Sequence, residues 1–374
     1  MSINFNRIRS IASKAGAVIE TQVEDPLKGL EGECRDQFLK DAARLSNKEK
    51  REEYREQIRT NQFATELRQA RQIAEDVESL FAHRKAPLGS HLGGGTIAVQ
   101  LSDLHLGGTV QGLEARETSN NYKLEVAAHR LAMLAEQVIF YGAAHSASSL
   151  AIMLTGDIFD SKVGKVRLDK VLNSEHSACQ SLMIGADLIF QFIDYLRTSE
   201  VFGSVKIHGI AGNEARLYAE RGHSPVMSSD NFDALLNAML SQRYQGSDVE
   251  LGFGVNRYVA DIEGWKILMI HGDQALDKNC SQKTVQSLLG THNADFGISG
   301  HIHDTLVTGK WIRSASLIGT DYYAGDGLDL QGRATQNIMW LAPNQRNVYN
   351  VDLQLPDPLI EPFFIPDYKG AFGN

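Results

Sequence analysis

Apolar positions along this chain change their spacing near residue 93. Before that point they recur at helical intervals. Ile8, Ile11, Ala15, Val18 and Ile19 form one stripe, and Phe63, Leu67, Ala70, Ile73, Ala74, Val77, Leu80 and Phe81 form a second. Between them the run Lys48-Glu49-Lys50-Arg51-Glu52-Glu53-Tyr54-Arg55 mixes charges, as a solvated helical face or an arm that meets nucleic acid or a partner subunit does. Pro87-Leu88-Gly89-Ser90-His91-Leu92-Gly93-Gly94-Gly95 then reads as a linker. Its glycines lack the Lys-Ser/Thr ending of a phosphate loop and precede a strand. From Thr96 onward, short runs rich in Val, Ile, Leu and Met alternate with amphipathic stretches. Strands are predicted at Thr96–Leu101, Leu150–Leu154, Val205–Ile210, Lys266–Ile270, Phe296–Ser299, Trp311–Leu317, Asn337–Leu341 and Val348–Leu353. Helices are predicted over Leu124–Tyr141, around Leu182–Leu196 and over Phe232–Leu240. From Pro356 the chain reads as an extended arm that drapes the surface or frays. Three segments follow: a helical extension and linker (1–92), an α/β domain (93–355) and a Pro-containing tail (356–374).

Composition narrows the class. With 374 residues and 43% apolar content, the chain can bury a substantial core. No apolar run approaches the ~20 residues of a membrane span, and the N-terminal residues lack a secretory pattern. Three widely separated cysteines, Cys34, Cys179 and Cys280, show neither a disulfide framework nor CxxC metal spacing. A cytoplasmic setting is expected. The net charge of -9 counts against tight, non-specific nucleic-acid binding, but bound cations and local fields outweigh a global total at one site.

The candidate chemistry sits at the strand ends. Asp103-Leu104-His105, Gly156-Asp157-Ile158-Phe159-Asp160, Gly212-Asn213-Glu214, His271-Gly272-Asp273 and Gly300-His301-Ile302-His303 each follow an apolar run directly. Open α/β sheets carry their functional groups at the carboxyl ends of strands, so five sets of Asp, Asn and His side chains can meet in one crevice. Imidazole, carboxylate and amide oxygen suit Mn, Fe, Zn or Mg. In Asp-x-His on extended backbone the two side chains share a face, so Asp103 and His105 can hold one ion. Gly156, Gly212 and Gly300 would permit tight turns there.

These motifs, in this order, resemble the calcineurin-like metallophosphoesterase superfamily over roughly Thr96 to Leu353. The resemblance implies a four-layer α/β/β/α sandwich of two mixed sheets, here with an N-terminal helical extension. It implies two divalent cations, manganese first, with iron, zinc or magnesium as alternatives. His303 would complete the first site, Asp157 would bridge, and Asn213, His271 and His301 would hold the second ion. Asp160 matches a family aspartate that orients its neighbours by hydrogen bonds. One position departs from the pattern. Glu214 stands where the family usually has a histidine that serves the leaving oxygen. Three readings compete: Glu214 is a general acid with a raised pKa; it turns away to pair with Arg216 or another base while His223 or His208 takes over; or water protonates the leaving group. Arg216 is either a phosphate clamp or an ion-pair partner of Glu220. Asp273 either supports His271 or caps a turn. His129, His145, His176 and His292 fit no ligand pattern.

Among the family's activities, local features are similar to those of the Mre11-like and bacteriophage exonuclease branch. These are Leu101-Ser102-Asp103-Leu104-His105-Leu106-Gly107, Ile270-His271-Gly272-Asp273, Gly319-Thr320-Asp321-Tyr322-Tyr323 and Gly332-Arg333-Ala334-Thr335-Gln336. Lys162, Lys165, Arg167 and Lys170 follow Asp157 closely, and either line the crevice for a nucleic-acid backbone or form a solvated basic turn. The expected activity is hydrolysis of nucleic-acid phosphodiesters, DNA before RNA. The alternatives are a phosphatase or phosphodiesterase for a small nucleotide, and a non-catalytic metal-binding interaction module. The N-terminal helices are candidates for homo-oligomer contacts, and no membrane partner is expected.

Overall fold

Strand β1 (Thr96–Leu101, TIAVQL) is buried at every position, which a strand needs when both faces of its sheet are covered. The computed structural model describes residues 94–115, 118–160, 176–218, 225–273, 276, 279–321 and 332–372, all within one compact unit, Leu92–Asn374. The two predicted N-terminal stripes, His223, Glu220 and the basic residues Lys162 to Lys170 lie outside the described residues. In chain order β1 is followed by β2 (Val110–Ala115), β3 (Thr118–Tyr122), α1 (Leu124–His145), β4 (Ser149–Leu154), α2 (Ala178–Arg197), β5 (Ser204–Gly209), α3 (Pro225–Ser229) and α4 (Phe232–Arg243). Then come β6 (Glu250–Phe253), β7 (Arg257–Ile262), β8 (Trp265–Ile270), α5 (Gln282–His292), β9 (Phe296–Ser299), β10 (Leu306–Val307), β11 (Trp311–Arg313), β12 (Thr335–Ala342), β13 (Gln345–Asp352) and α6 (Lys369–Phe372).

Two mixed sheets form the centre. One has the order β13-β12-β1-β4-β5-β6, parallel from β1 to β6 and closed by the antiparallel pair β12 and β13. The other has the order β10-β11-β9-β8-β7, with β11, β9 and β8 parallel. Period-two alternation assigns the faces. Ile97, Val99 and Leu101 of β1, with Leu150 and Ile152 of β4, join Leu131, Leu134, Leu188, Ile189 and Phe192 of helices α1 and α2. On the opposite faces Ala98, Ala151 and Met153 meet Ile262, Ile267, Met269, Phe296 and Ile298 of the second sheet. Behind that sheet, Leu268, Ile270 and Trp311 meet Val285 and Leu289 of α5. The layers therefore run helix, sheet, sheet, helix, the four-layer order that was expected.

The structure corrects several elements. The hairpin β2–β3, strands β6 and β7 and helix α5 were not expected from periodicity. Polar residues interrupt β7 (RYVADI), where only Ala260 and Ile262 are buried. Helix α5 (QKTVQSLLGTH) buries only Val285 and Leu289. The strand expected over Trp311–Leu317 stops at Arg313. Beyond it, Ser316 Oγ (2.9 Å) and Leu317 N (3.0 Å) donate to the Asp103 carbonyl, so this segment serves the loop that carries Asp103 and His105 instead of the sheet. The tail crosses the two large helices. Phe363 N donates to Ala128 O at 3.4 Å, the Gln191 side chain makes paired bonds with the backbone of Phe364, and Tyr368 Oη donates to the Asp187 carboxylate. No helix among the described residues is long and apolar enough to cross a membrane.

Candidate metal centre

Parallel strands β1, β4 and β5 in one sheet, and β8 and β9 in the other, end at the same edge of the sandwich. Backbone hydrogen bonds sew their outgoing loops together: Asp103 N to Gly156 O (3.0 Å), His105 N to Asp157 O (3.0 Å) and Gly300 N to His271 O (3.0 Å). Two clusters result, Asp103 with His105 and His303, and Asp157 with His271 and His301. In each, the potential ligand atoms lie within 4.8 Å of one another. This is the partition that the resemblance implies, although His301 and His303 are only two residues apart.

In the first cluster His105 Nε2 and His303 Nε2 stand 3.1 Å apart, and Asp103 Oδ1 lies 3.4 Å from His303 Nε2 and 4.0 Å from His105 Nε2. Metal–ligand bonds of about 2.1 Å place neighbouring ligand atoms about 3 Å apart and opposite ones about 4 Å apart, so these spacings fit one cation. In the second, His271 Nε2 lies 3.0 Å from both Asp157 Oδ2 and Asn213 Oδ1. His271 Nδ1 faces the Thr155 carbonyl at 3.0 Å. A carbonyl only accepts, so Nδ1 carries a proton, and Nε2 is the nitrogen that faces Asp157 and Asn213 and that would turn to a metal once its own proton is displaced. His303 Nδ1 faces Asp321 Oδ2 at 3.2 Å in the same role. The donor chemistry, two imidazoles and a carboxylate per cluster, suits a borderline divalent cation.

The backbone at the centre is strained. Asp103, His105, Asp157, His301 and His303 all have φ between +48° and +74°, five of the eleven non-glycine residues with positive φ among those described. Such conformations cost of order 1–3 kcal/mol each and persist where surrounding bonds dictate them. The glycines serve two purposes. Gly156 has φ +92°, the turn that was expected. Gly212 and Gly300 are needed for close approach instead. A Cβ on Gly212 would stand 2.1 Å from Asp157 Oδ1, and one on Gly300 would stand 2.0 Å from Asp103 Oδ2.

No family model matches the chain, and no curated protein matches it either. Solved structures similar to it include Vps29 from Entamoeba histolytica complexed with zinc, with 13% identity, 69% of this chain and 99% of that chain covered, and a TM-score of 0.30. A predicted phosphoesterase from Streptococcus pneumoniae has 10% identity, 71% and 94% coverage and a TM-score of 0.31. A 5'-nucleotidase precursor from Thermus thermophilus has 12% identity, 71% and 56% coverage and a TM-score of 0.29. Likenesses this distant leave the chemistry to be argued from the residues.

Electrostatics follows from packing opposite charges out of water. Burial pushes the Asp157 carboxyl up, but the charge and hydrogen bond of His271, the charge of His105 and the Glu214 N–H together outweigh it and hold the group well below the carboxylate range. Asp103 is lowered likewise: burial opposes, and the His303 hydrogen bond and the His271 charge prevail. Burial works against charge on His271 and His303, yet Asp157 drives the first, and Asp103 with Asp321 the second, up to about 10. His301 goes the other way, down to about 4, through burial and the neighbouring His271 charge. Buried carboxylates that recruit protonated imidazoles form a site built to hold positive charge.

The remaining predicted residues take distinct places. Glu214 Oε1 accepts from Asn213 Nδ2 at 2.9 Å, and Glu214 N donates to Asp157 Oδ1 at 2.6 Å. Through this contact the carboxylate turns the Asn213 amide so that its oxygen faces His271. Arg216 pairs with Asp273 at 2.6 Å, both side chains largely buried. Asp273 thus anchors an arginine, a role that neither of its two readings describes. Asp160 is buried on the Asp157 loop, with its N–H 3.5 Å from Leu106 O. His208 is buried and stacked on Tyr258, centroids 5.3 Å apart, and burial lowers its pKa. His129 reaches Asp357 O and His145 stacks on Trp340, as residues outside the ligand pattern. Sequence reasoning missed Asp233, Asp321 and Thr155. Asp233 had a helix-start signal in Asn231-Phe232-Asp233 and nothing to link it to the centre.

Proposed function

We propose that this chain is a calcineurin-like metallophosphoesterase that hydrolyses nucleic-acid phosphodiesters, DNA before RNA, with two divalent cations, manganese first. The observation that carries the reading is the pair of three-residue clusters, each with two histidines and one aspartate, joined through the Asp103 and Asp157 loops. Two bound divalent ions would polarise the phosphoryl oxygens and acidify a water. The residues of the chain supply the placement. Asp157 directs Oδ2 toward His271 while its carbonyl accepts from His105 N, so one residue is tied to both clusters. Asp103 accepts from His301 N at 3.0 Å and fixes the loop that bears both distal histidines. Arg216, paired with Asp273, which lies two residues after His271 in sequence, would meet two phosphate oxygens in a planar, two-point contact. The preference for a nucleic acid is supported by the motif resemblances and by Lys162, Lys165, Arg167 and Lys170 next to Asp157 in sequence.

The test is incubation with Mn²⁺ and end-labelled single- and double-stranded DNA, expected to shorten the label-bearing strand. Hydrolysis of bis-p-nitrophenyl phosphate with intact DNA would move the substrate to a small phosphoester. Inactivity on both, with two ions bound, would leave a non-catalytic binding module.

A further inference from the structure

Behind the ligand loops, on the helix side, the start of α4 presents a buried carboxylate that none of the motifs contains. Asp233 is 1% exposed. Its Oδ2 accepts from Asp157 N (2.8 Å) and Gly212 N (2.9 Å), and its Oδ1 from Ile158 N (3.1 Å) and Phe159 N (3.3 Å). These four donors belong to two loops, which leave β4 and β5 respectively. One loop carries Asp157 and the other carries Asn213. The neighbouring Asn231 caps α4: its Oδ1 accepts from Asp233 N at 2.8 Å and its Nδ2 donates to Gly212 O at 2.8 Å. Burial and the charge of Asp157 push the Asp233 pKa up to about 7, and the backbone N–H groups it accepts from work the other way, as does the positive end of the helix.

We infer that Asp233 is a positioning residue that fixes the separation of Asp157 and Asn213 and so creates the second cation site. The inference rests on the metallophosphoesterase reading. Asp157 must hold φ at +52° while one carboxylate oxygen faces Glu214 N and the other faces His271. Backbone in that region does not stay there without outside support, and Asp233 bonds the N–H of that residue and of the two that follow. Gly212 lies so close to Asp157 Oδ1 that the two loops have no slack between them. An amide at position 233 would offer one acceptor oxygen and turn N–H groups toward N–H donors, so the clamp would open on one side.

The test is a Mn²⁺ titration of the full chain, followed by calorimetry and by electron paramagnetic resonance, which separates an exchange-coupled ion pair from isolated ions. Wild-type protein is expected to take two ions and show the coupled signal. Asp233→Asn should keep the first ion at wild-type affinity and bind the second about 10- to 100-fold more weakly, with an isolated-ion signal. Circular dichroism and melting show whether the variant is folded. If it is not, Asn231→Ala, which removes the bond to Gly212 O and leaves the carboxylate in place, should weaken the second ion several-fold. Variants that are folded and take both ions as wild type overturn the inference alone. Wild-type protein that takes no manganese overturns the proposed function, and the inference with it.

Discussion

Glu214 holds the Asn213 amide by a single hydrogen bond, and that contact separates two roles by experiment. Glu214→Gln keeps an acceptor oxygen for Asn213 Nδ2, so hydrolysis of bis-p-nitrophenyl phosphate should stay within about threefold of wild type. Glu214→Ala frees the amide and should lower the rate about tenfold or more, as loss of an orienting partner does. Equal losses in both variants would assign proton transfer to the carboxyl instead. Gly300 makes a sharper test of geometry. A methyl group there has to displace the Asp103 carboxylate and Ser102 Oγ, each 2.0 Å away. Gly300→Ala is therefore expected to cost the first cluster its ion, reducing manganese from two equivalents to one by elemental analysis of the dialysed protein. Unchanged stoichiometry would show that the loop yields.

Helices α1 and α2 carry most of the outer layer, and their predictions concern packing and charge. Phe192 of α2 is fully buried against the first sheet, so Phe192→Ala should destabilise the fold by about 3–5 kcal/mol in denaturant titrations. His145 ends α1, stacked on Trp340 and 2.7 Å from Tyr349 Oη. Burial lowers its pKa, which wins over the attraction of a helix C-terminus for positive charge. The folded pKa thus lies below the unfolded value of about 6.5. The contribution of the neutral ring is present above that value and lost as the pH falls below it. Wild type should lose more stability between pH 7.5 and 5.5 than His145→Gln, compared by their denaturation midpoints. Strands β1, β4, β8 and β9 were legible in the sequence because burial on both faces leaves a continuous apolar run, and α2 because its buried stripe repeats at helical spacing over about five turns. Strand β7 and helix α5 were not, because one exposed face dilutes the pattern below notice. The same logic applies at the centre. Ligands that directly follow an apolar run announce themselves, whereas Asp233 acts across 76 residues on Asp157 and leaves only a helix-start signature.

At the scale of the molecule, the tail closes the outer layer. Ile360, Phe363, Ile365 and Tyr368 pack on the core from the helix side. Deleting residues 356–374 is expected to destabilise the fold by on the order of 3 kcal/mol, read as a lower melting temperature, while two manganese ions still bind. Loss of an ion on truncation would show that the tail reaches the centre. The sandwich also sets how firmly that centre is gauged. His301 and His303 leave one turn after β9 and go to different clusters, and the N–H of His301 is gripped by Asp103. On the proposed two-ion reading, three consecutive residues would therefore set how far the histidine side of one cluster stands from that of the other. Both histidines move as one body with that turn, and a single residue inserted between them would reset the distance between the two clusters.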